Sequence, residues 1–180
     1  MHIMPITRRR SVLALALLLA AASAPGQSID APNVVRISPR LVTSGQPSAA
    51  TLSGLRSAGF QAVVYLAPGT VPNAVGNEAD LLGRQGIAFV HIPIPFGSPS
   101  ADHFHAVTEA LQRLKEKTVL VHCEVNMRAS SMVFLHRVLT LKEDPADAFA
   151  AVTAIWSPRG PWRTLIEEQL RQGGIEFDLL

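Results

Sequence analysis

The sequence predicts a single α/β domain in which a mainly parallel central sheet is flanked by helices. Short apolar runs alternate with segments of helical periodicity, and three consecutive helical segments follow the last apolar run. The runs at 62–66 and 119–121 are almost continuously apolar, which is typical of strands buried on both faces of a parallel sheet. Since no internal repeat or linker-like segment interrupts this pattern, we expect one domain.

The N-terminal residues have the pattern of an export signal. Three arginines at 8–10 precede an apolar run over 12–22, and small residues end that run at 22–24. The run is too short to span a bilayer comfortably, although a retained membrane anchor is the alternative. We therefore expect residues 1–24 to be a signal peptide and residues 25–180 to form the domain. This interpretation predicts a periplasmic or secreted protein without stable membrane insertion after signal cleavage.

The charge balance and the cysteine content indicate which classes of function the chain could have. Without residues 1–24, Lys plus Arg falls from 16 to 13 against 14 Asp plus Glu, so the formal charge changes from +2 to −1. This balance gives no indication of nucleic-acid binding. The only cysteine, Cys123, cannot form a disulfide within the chain, so its thiol serves either packing or chemistry.

Local signals mark the elements of the first third of the chain. Residues 34–37 alternate and predict an edge strand, and residues 41–43 predict a second strand followed by a turn at 44–47. Ser48 is placed to cap the next helix, which we expect to end at Gly59.

The middle of the chain continues the alternation of strands and helices. Strand 62–66 leads into a loop over 68–76 that is rich in proline and glycine, followed by a short helix at 77–85 and a strand at 87–94. The loop at 68–76 follows the carboxyl end of a strand, where open α/β sheets bind ligands.

The remaining elements are helical except for the strand at 119–121. Ser100 is placed to cap a helix over 101–115. After the cysteine, helical periodicity covers 128–140 and 144–157, and a last helix with proline in its first turn covers 161–172.

The segment TVLVHCEVNMRASS, residues 118–131, brings a strand end, the cysteine and a helix start together. Such a turn directs loop amides and the positive end of the helix dipole at one point, which favours an anion. Arg128 adds a planar guanidinium that can hold two oxygens of a phosphate. A cysteine that only packs needs neither the preceding His122 nor this arginine, so we interpret Cys123 as a nucleophile.

Two motifs resemble one enzyme superfamily. His122-Cys123 followed by Arg128 resembles the catalytic loop of the cysteine-dependent protein tyrosine and dual-specificity phosphatases. Ser-Gly-Gln-Pro at 44–47 resembles the turn before the first helix in a bacterial branch of that superfamily. The resemblance continues through 59–66 and covers most of residues 25–180. It implies a tyrosine-phosphatase-like fold.

The resemblance also implies a reaction, namely hydrolysis of a phosphate monoester through a phosphocysteine intermediate. Cys123 would attack phosphorus, and the substrate would be a phosphorylated small molecule or a phosphoprotein. No metal or organic cofactor is implied. The phosphate would be bound by the Arg128 side chain and by the loop amides of Glu124, Val125, Asn126, Met127 and Arg128.

The loop departs from the phosphatase pattern, because four residues rather than five separate Cys123 from Arg128. The shorter spacing is that of rhodanese-type sulfurtransferases, which carry a persulfide on the cysteine. A catalytically weak phosphate-binding module is a third alternative, and spacing alone does not choose among the three. Asn126 stands where the phosphatase pattern has glycine and tolerates a positive φ. We expect Glu124 to point to solvent, since its charge would repel a bound anion.

A general acid for the leaving group is harder to assign. The resemblance implies an upstream aspartate, and Asp102 is the only carboxylate in 87–114 that does not lie in the middle of a helix. Its place in a first helical turn is also explained by the helix dipole. For His122, tuning of the thiol and simple termination of a strand are both open. His103 and His105 face different directions on a helix and do not predict a metal site.

Overall fold

A computed structural model describes residues 29–179 of the 180-residue chain. The predicted signal peptide at 1–24 lies outside the described residues, so export and the start of the domain at residue 25 stay predictions. Within 29–179, no helix combines the length and the apolar character needed to cross a membrane.

The centre of the described structure is a five-stranded sheet of order β1-β2-β5-β3-β4. β1 runs antiparallel to β2, whereas the pairs β2–β5, β5–β3 and β3–β4 are parallel, which confirms the predicted mainly parallel sheet. The strands are β1 (Val35–Ser38), β2 (Leu41–Ser44), β3 (Ala62–Tyr65), β4 (Ala88–His91) and β5 (Val119–His122). Because β5 has a parallel partner on each side, the residues that follow it emerge at the middle of the sheet's carboxyl edge.

Six helices accompany these strands in the described part of the chain. They are α1 (Ala49–Gly54), α2 (Glu78–Gly83), α3 (Ala101–Arg113), α4 (Met127–Leu139), α5 (Pro145–Thr153) and α6 (Pro161–Gln172). The predicted caps are confirmed, since Ser48 accepts a hydrogen bond from the Thr51 amide and Ser100 from the His103 amide. Helix α1 ends earlier than predicted, and the chain continues in turns to Gly59, whose φ of 92° suits glycine.

The sheet is covered on both faces. Val119 and Val121 of β5 join the larger hydrophobic cluster with α3, α4, α5 and α6, whereas Leu120 joins the cluster formed with α1 and α2. This alternation follows from the two-residue period of a strand. Helix α4 is buried at every residue from 128 to 136, so its first turn is held between the sheet and the other helices.

Candidate functional site

Cys123 is the first residue after the central strand. Its backbone N–H donates a hydrogen bond to the carbonyl oxygen of Ser44 at 3.2 Å, which ties it to the end of β2. The residue has no exposed surface and contacts the larger hydrophobic cluster. The thiol is therefore fixed at the carboxyl edge of the sheet, and a reactant reaches it only if neighbouring groups move.

Asn126 makes the turn from this loop into α4. It has a left-handed conformation with φ of 73°, as expected for a residue that stands in for glycine. Its side-chain amide donates to the carbonyl oxygen of Asn33 at 2.6 Å and to the hydroxyl of Thr43 at 3.1 Å, and it does not cap the helix. The first N–H groups of a helix have no acceptor within it. The start of α4 therefore offers uncapped N–H donors to an anion.

The turn at residues 44–47 packs directly against the cysteine loop. Gly45 forms a β-bridge with Val125, and the amide of Gln46 donates to the carbonyl oxygen of Glu124 at 3.1 Å. A Cβ at position 45 would lie 2.9 Å from Cβ of Pro32 and 3.0 Å from the Glu124 carbonyl oxygen, so only glycine permits this approach. The two motifs that suggested a phosphatase are thus in contact.

Arg128 lies in the first turn of α4 and is only 4% exposed. Its Nε donates to the carbonyl oxygen of Ile94 at 2.9 Å, and its guanidinium carbon lies 5.0 Å from the centre of the Phe96 ring. Its Nη1 lies 3.5 Å from Oε2 of Glu124. The Glu124 side chain is one-third exposed but pairs with Arg128, which differs from the expectation that it points to solvent. An incoming anion must therefore compete with Glu124 for the guanidinium.

His122 belongs to a buried polar network that the sequence did not reveal. The fully buried imidazole lies 2.7 Å from Oε1 of Glu78 through Nε2, and the other carboxylate oxygen of Glu78 accepts from the side-chain amide of Gln46 at 3.0 Å. The Tyr65 ring stacks on the imidazole at 4.6 Å. His122 thus does more than end a strand, because Glu78 holds its ring in one orientation beside Cys123.

Tyr65 links this network to the cysteine loop electrostatically. Burial raises the pKa of Tyr65 to about 12, with further contributions from the charges of Glu78 and Cys123, while Arg128 acts in the opposite direction. Its hydroxyl donates to the carbonyl oxygen of Pro68 at 3.3 Å. The phenol of Tyr65 therefore lies within electrostatic reach of Glu78, of the Cys123 thiol and of the Arg128 guanidinium.

Because Tyr65 is the only tyrosine of the chain, its titration can be read directly from phenolate absorbance. We expect a midpoint of about 12 in the folded protein, against about 10 in the unfolded chain. The folded state retains the proton longer, so this group's contribution to stability is present below pH 10 and is lost as the pH rises through this window. Glu78→Gln should lower the midpoint, since it removes a negative charge.

Glu124→Gln is the matched control for that titration, because Glu124 has the smallest of the named influences on Tyr65. It should move the midpoint less than Glu78→Gln does. Equal shifts, or no shift with Glu78→Gln, would contradict the placement of a charged Glu78 beside the phenol.

The candidate acid Asp102 is not joined to this arrangement. It is exposed in the first turn of α3, and within residues 29–179 its side chain has no hydrogen bond or ion pair with any protein group. No contact in the described structure links it to Cys123 or Arg128, so its catalytic role stays a prediction. His103 bonds Ser100 at 2.8 Å. The described residues contain no group of three or more His, Cys, Asp or Glu side chains that could hold a metal.

The fold and this loop together define the class of the cysteine-dependent tyrosine and dual-specificity phosphatases. A candidate phosphatase (DUF442) from Shewanella putrefaciens CN-32 superposes with a TM-score of 0.71 at 26% identity, covering 79% of this chain and 91% of that chain. Tk-PTP in its active form shares the fold with 20% sequence identity and a TM-score of 0.65, covering 78% of this chain and 98% of that chain. The PP-IP phosphatase SIW14 from S. cerevisiae also shares the fold, with 18% sequence identity and a TM-score of 0.60, covering 82% of this chain and 94% of that chain.

The family is identified by a match over residues 24–157 to the model of the DSP-PTPase phosphatase fused to NAD+ kinase. The chain belongs to this family. A curated relative, the beta-lactamase hydrolase-like protein of Xylella fastidiosa strain Temecula1, is 31% identical over 120 residues, covering 64% of this chain and 28% of the relative. The chain thus matches just over a quarter of the length of that relative.

Proposed function

We propose that this protein is an exported cysteine-dependent phosphatase that hydrolyses a phosphate monoester through a phosphocysteine. The observation that carries the proposal is the left-handed turn at Asn126, which follows Cys123 and leaves uncapped the first turn of α4, where the buried Arg128 lies. A nucleophile, amide donors and a guanidinium then converge on one tetrahedral anion. Export rests on the pattern of residues 1–24 and makes the protein periplasmic or secreted.

The proposed reaction has two displacements. The Cys123 thiolate attacks phosphorus while the bond to the leaving oxygen breaks, and Asp102 donates a proton to that oxygen. Arg128 and the amides of 124–128 hold the non-bridging oxygens as charge develops on them. Water then gives a proton to the Asp102 carboxylate and attacks phosphorus, the S–P bond breaks, and inorganic phosphate leaves with the thiolate and the Asp102 acid restored.

The proposed reaction requires that a substrate reach the sulfur of Cys123. Cys123 has no exposed surface, and the guanidinium of Arg128 is partnered by Glu124. The dianionic phosphate displaces the Glu124 carboxylate from Arg128 because it carries two charges and can bind the planar fork through two oxygens, whereas Glu124 makes a single contact at 3.5 Å. The substrate is a phosphorylated small molecule or a phosphoprotein, and the PP-IP phosphatase SIW14 shows that this fold is used on a phosphorylated compound.

A sulfurtransferase is the second candidate, favoured by the four-residue spacing and by the isolation of Asp102. In that reaction Cys123 attacks the outer sulfur of thiosulfate, the S–S bond breaks, and sulfite leaves. Cyanide then takes the outer sulfur from the persulfide as thiocyanate, and the thiolate is restored. This route needs no general acid, because sulfite leaves as an anion.

The test is to assay the purified protein on an aryl phosphate and, separately, on thiosulfate with cyanide. A rapid acid quench during phosphate turnover, followed by peptide mass spectrometry, should find a phosphoryl group on Cys123. Thiocyanate formation without phosphate release would overturn the phosphatase proposal in favour of sulfur transfer. If calorimetry shows phosphate binding but neither phosphate release nor thiocyanate formation is seen, the protein is a phosphate-binding module.

A further inference from the structure

A cavity of about 400 Å³ lies at the end of the sheet opposite the cysteine loop. It opens beside Leu41 and Val119, the first residues of β2 and β5, whereas Cys123 follows the last residue of β5. At about 3.3 Å per residue, the two ends of β5 are roughly 10 Å apart. The cavity is therefore separate from the candidate active site, and it is of the size that small ligands occupy.

The walls of this cavity are mostly aliphatic. The aliphatic side chains that line the cavity come from β2, from α3 and the residue after it, from β5 and from the segment after α4. They are Leu41, Leu111, Leu114, Val119 and Leu141. Leu141 is 53% exposed, so part of this apolar wall is in contact with water. A ligand with an apolar body would cover this surface and gain from its removal from water.

One buried polar side chain lines the same cavity. His136 of α4 is only 5% exposed, and its Nδ1 has no hydrogen-bond partner within the described residues. Burial lowers the pKa of His136, and the charge of Glu143 opposes this effect only in part. A neutral imidazole without a partner is costly in a core unless something binds it. Nδ1 itself has almost no accessible surface, so the ring must rotate before this nitrogen can bond an oxygen of a ligand.

The mouth of the cavity is positively charged. Arg40, Lys115 and Lys117 line it, and Arg40 forms a 3.2 Å ion pair with Glu116. The two lysines are exposed and have no carboxylate partner in the part of the chain that the structure describes. An acidic group at the mouth would therefore meet two cations that no protein carboxylate neutralises.

We propose that this cavity binds a small amphipathic carboxylate, whose aliphatic chain lies against the leucines and whose acidic group meets the lysines and His136. At about 30 Å³ for each water-sized group, the cavity has room for about a dozen non-hydrogen atoms. Decanoate is a probe of that size. The site is independent of the proposed phosphatase reaction, because Cys123 and Arg128 lie at the other end of β5.

The test is calorimetric titration of the full chain with decanoate and, at equal concentration, with 1-decanol. Decanoate should bind more tightly than decanol, since only its carboxylate can use the lysines. The double variant Lys115→Glu/Lys117→Glu should weaken decanoate binding about tenfold, because each reversal turns a modest surface attraction into repulsion. Decanol binding should change little.

Two control variants keep the result interpretable. Arg56→Glu/Arg84→Glu makes the same change of net charge at exposed sites on the α1 and α2 side of the sheet and should leave decanoate affinity unchanged. His136→Leu should lower decanoate affinity while keeping or raising the melting temperature, since it removes an unpartnered buried group. Retention of affinity in the His136 and lysine variants, or equal binding of decanol, would overturn the proposal. So would dimerisation of the free protein that Leu141→Asp abolishes, because a second copy would then cover the cavity.

Discussion

Cys123→Ser is expected to abolish turnover of an aryl phosphate while phosphate binding persists. A serine hydroxyl at the end of β5 is a far weaker nucleophile than a thiolate, and removal of the nucleophile in covalent hydrolases lowers kcat by roughly 10⁵- to 10⁶-fold. Arg128 and the uncapped N–H groups of α4 are unchanged by this substitution, so the binding constant for inorganic phosphate should stay within about a factor of three. Steady-state kinetics and calorimetry measure the two quantities separately.

A folding control is needed because position 123 is completely buried. A hydroxyl placed there without a partner costs about 1–3 kcal/mol. Ser131→Ala is a matched variant, since Ser131 is also fully buried and its hydroxyl has no partner among the described residues. It should keep full activity and should not lower the melting temperature. Aryl phosphatase activity in folded Cys123→Ser would show that the sulfur is not the nucleophile.

Local signals explain why the fold could be predicted well from the sequence. The caps at Ser48 and Ser100 and the apolar runs of β3 and β5 act over a few residues, so their effects can be read directly. Helix α1 was the main difference. The residue at its predicted end, Gly59, does have a left-handed conformation, but the helix itself ends at Gly54 and turns fill the interval.

The candidate site could be predicted only where its residues are neighbours in the chain. The cysteine loop, the positive φ of Asn126 and the place of Arg128 at the start of α4 could be predicted because these residues follow one another in the chain. The bond between His122 and Glu78 joins residues 44 apart and depends on how α2 packs against the sheet. The only sequence signal for Glu78 was an acidic residue in a first helical turn, which the helix dipole explains equally well.

The pairing of Glu124 with Arg128 was missed for a different reason. The two residues are four apart, but a turn at Asn126 separates them, so the usual rule for helical pairs did not apply in advance. The sequence expectation rests on repulsion between Glu124 and a bound anion, whereas the buried guanidinium of Arg128 itself needs a partner. The structure satisfies the guanidinium with Glu124 and Ile94.

Arg128→Lys is expected to lower kcat/KM for an aryl phosphate by roughly 10²- to 10³-fold, the loss typical of removing one donor to a developing oxyanion. In the structure Nε is used by the Ile94 carbonyl, so two phosphate oxygens must bind the terminal nitrogens, one of which Glu124 contacts in the structure. A lysine has a single ammonium group and cannot serve the carbonyl and a bidentate anion together. The inhibition constant of inorganic phosphate should rise as well, so the loss should appear in both binding and turnover.

Glu124→Gln should strengthen phosphate binding, the opposite of Arg128→Lys, because it removes the charge that competes for the Arg128 guanidinium. Glu124 is one-third exposed and its contact with Arg128 is long, at 3.5 Å, so we expect the strength of a surface ion pair, about 0.2–1 kcal/mol. Phosphate affinity should therefore rise by up to about fivefold. The gain should shrink as salt is added, since screening already weakens the wild-type pair. In the Arg128→Lys background the same change should have a smaller effect, because the forked contact is gone. If the single variant Glu124→Gln binds phosphate more weakly, the carboxylate does not compete with phosphate for Arg128 but holds the guanidinium in position to bind it.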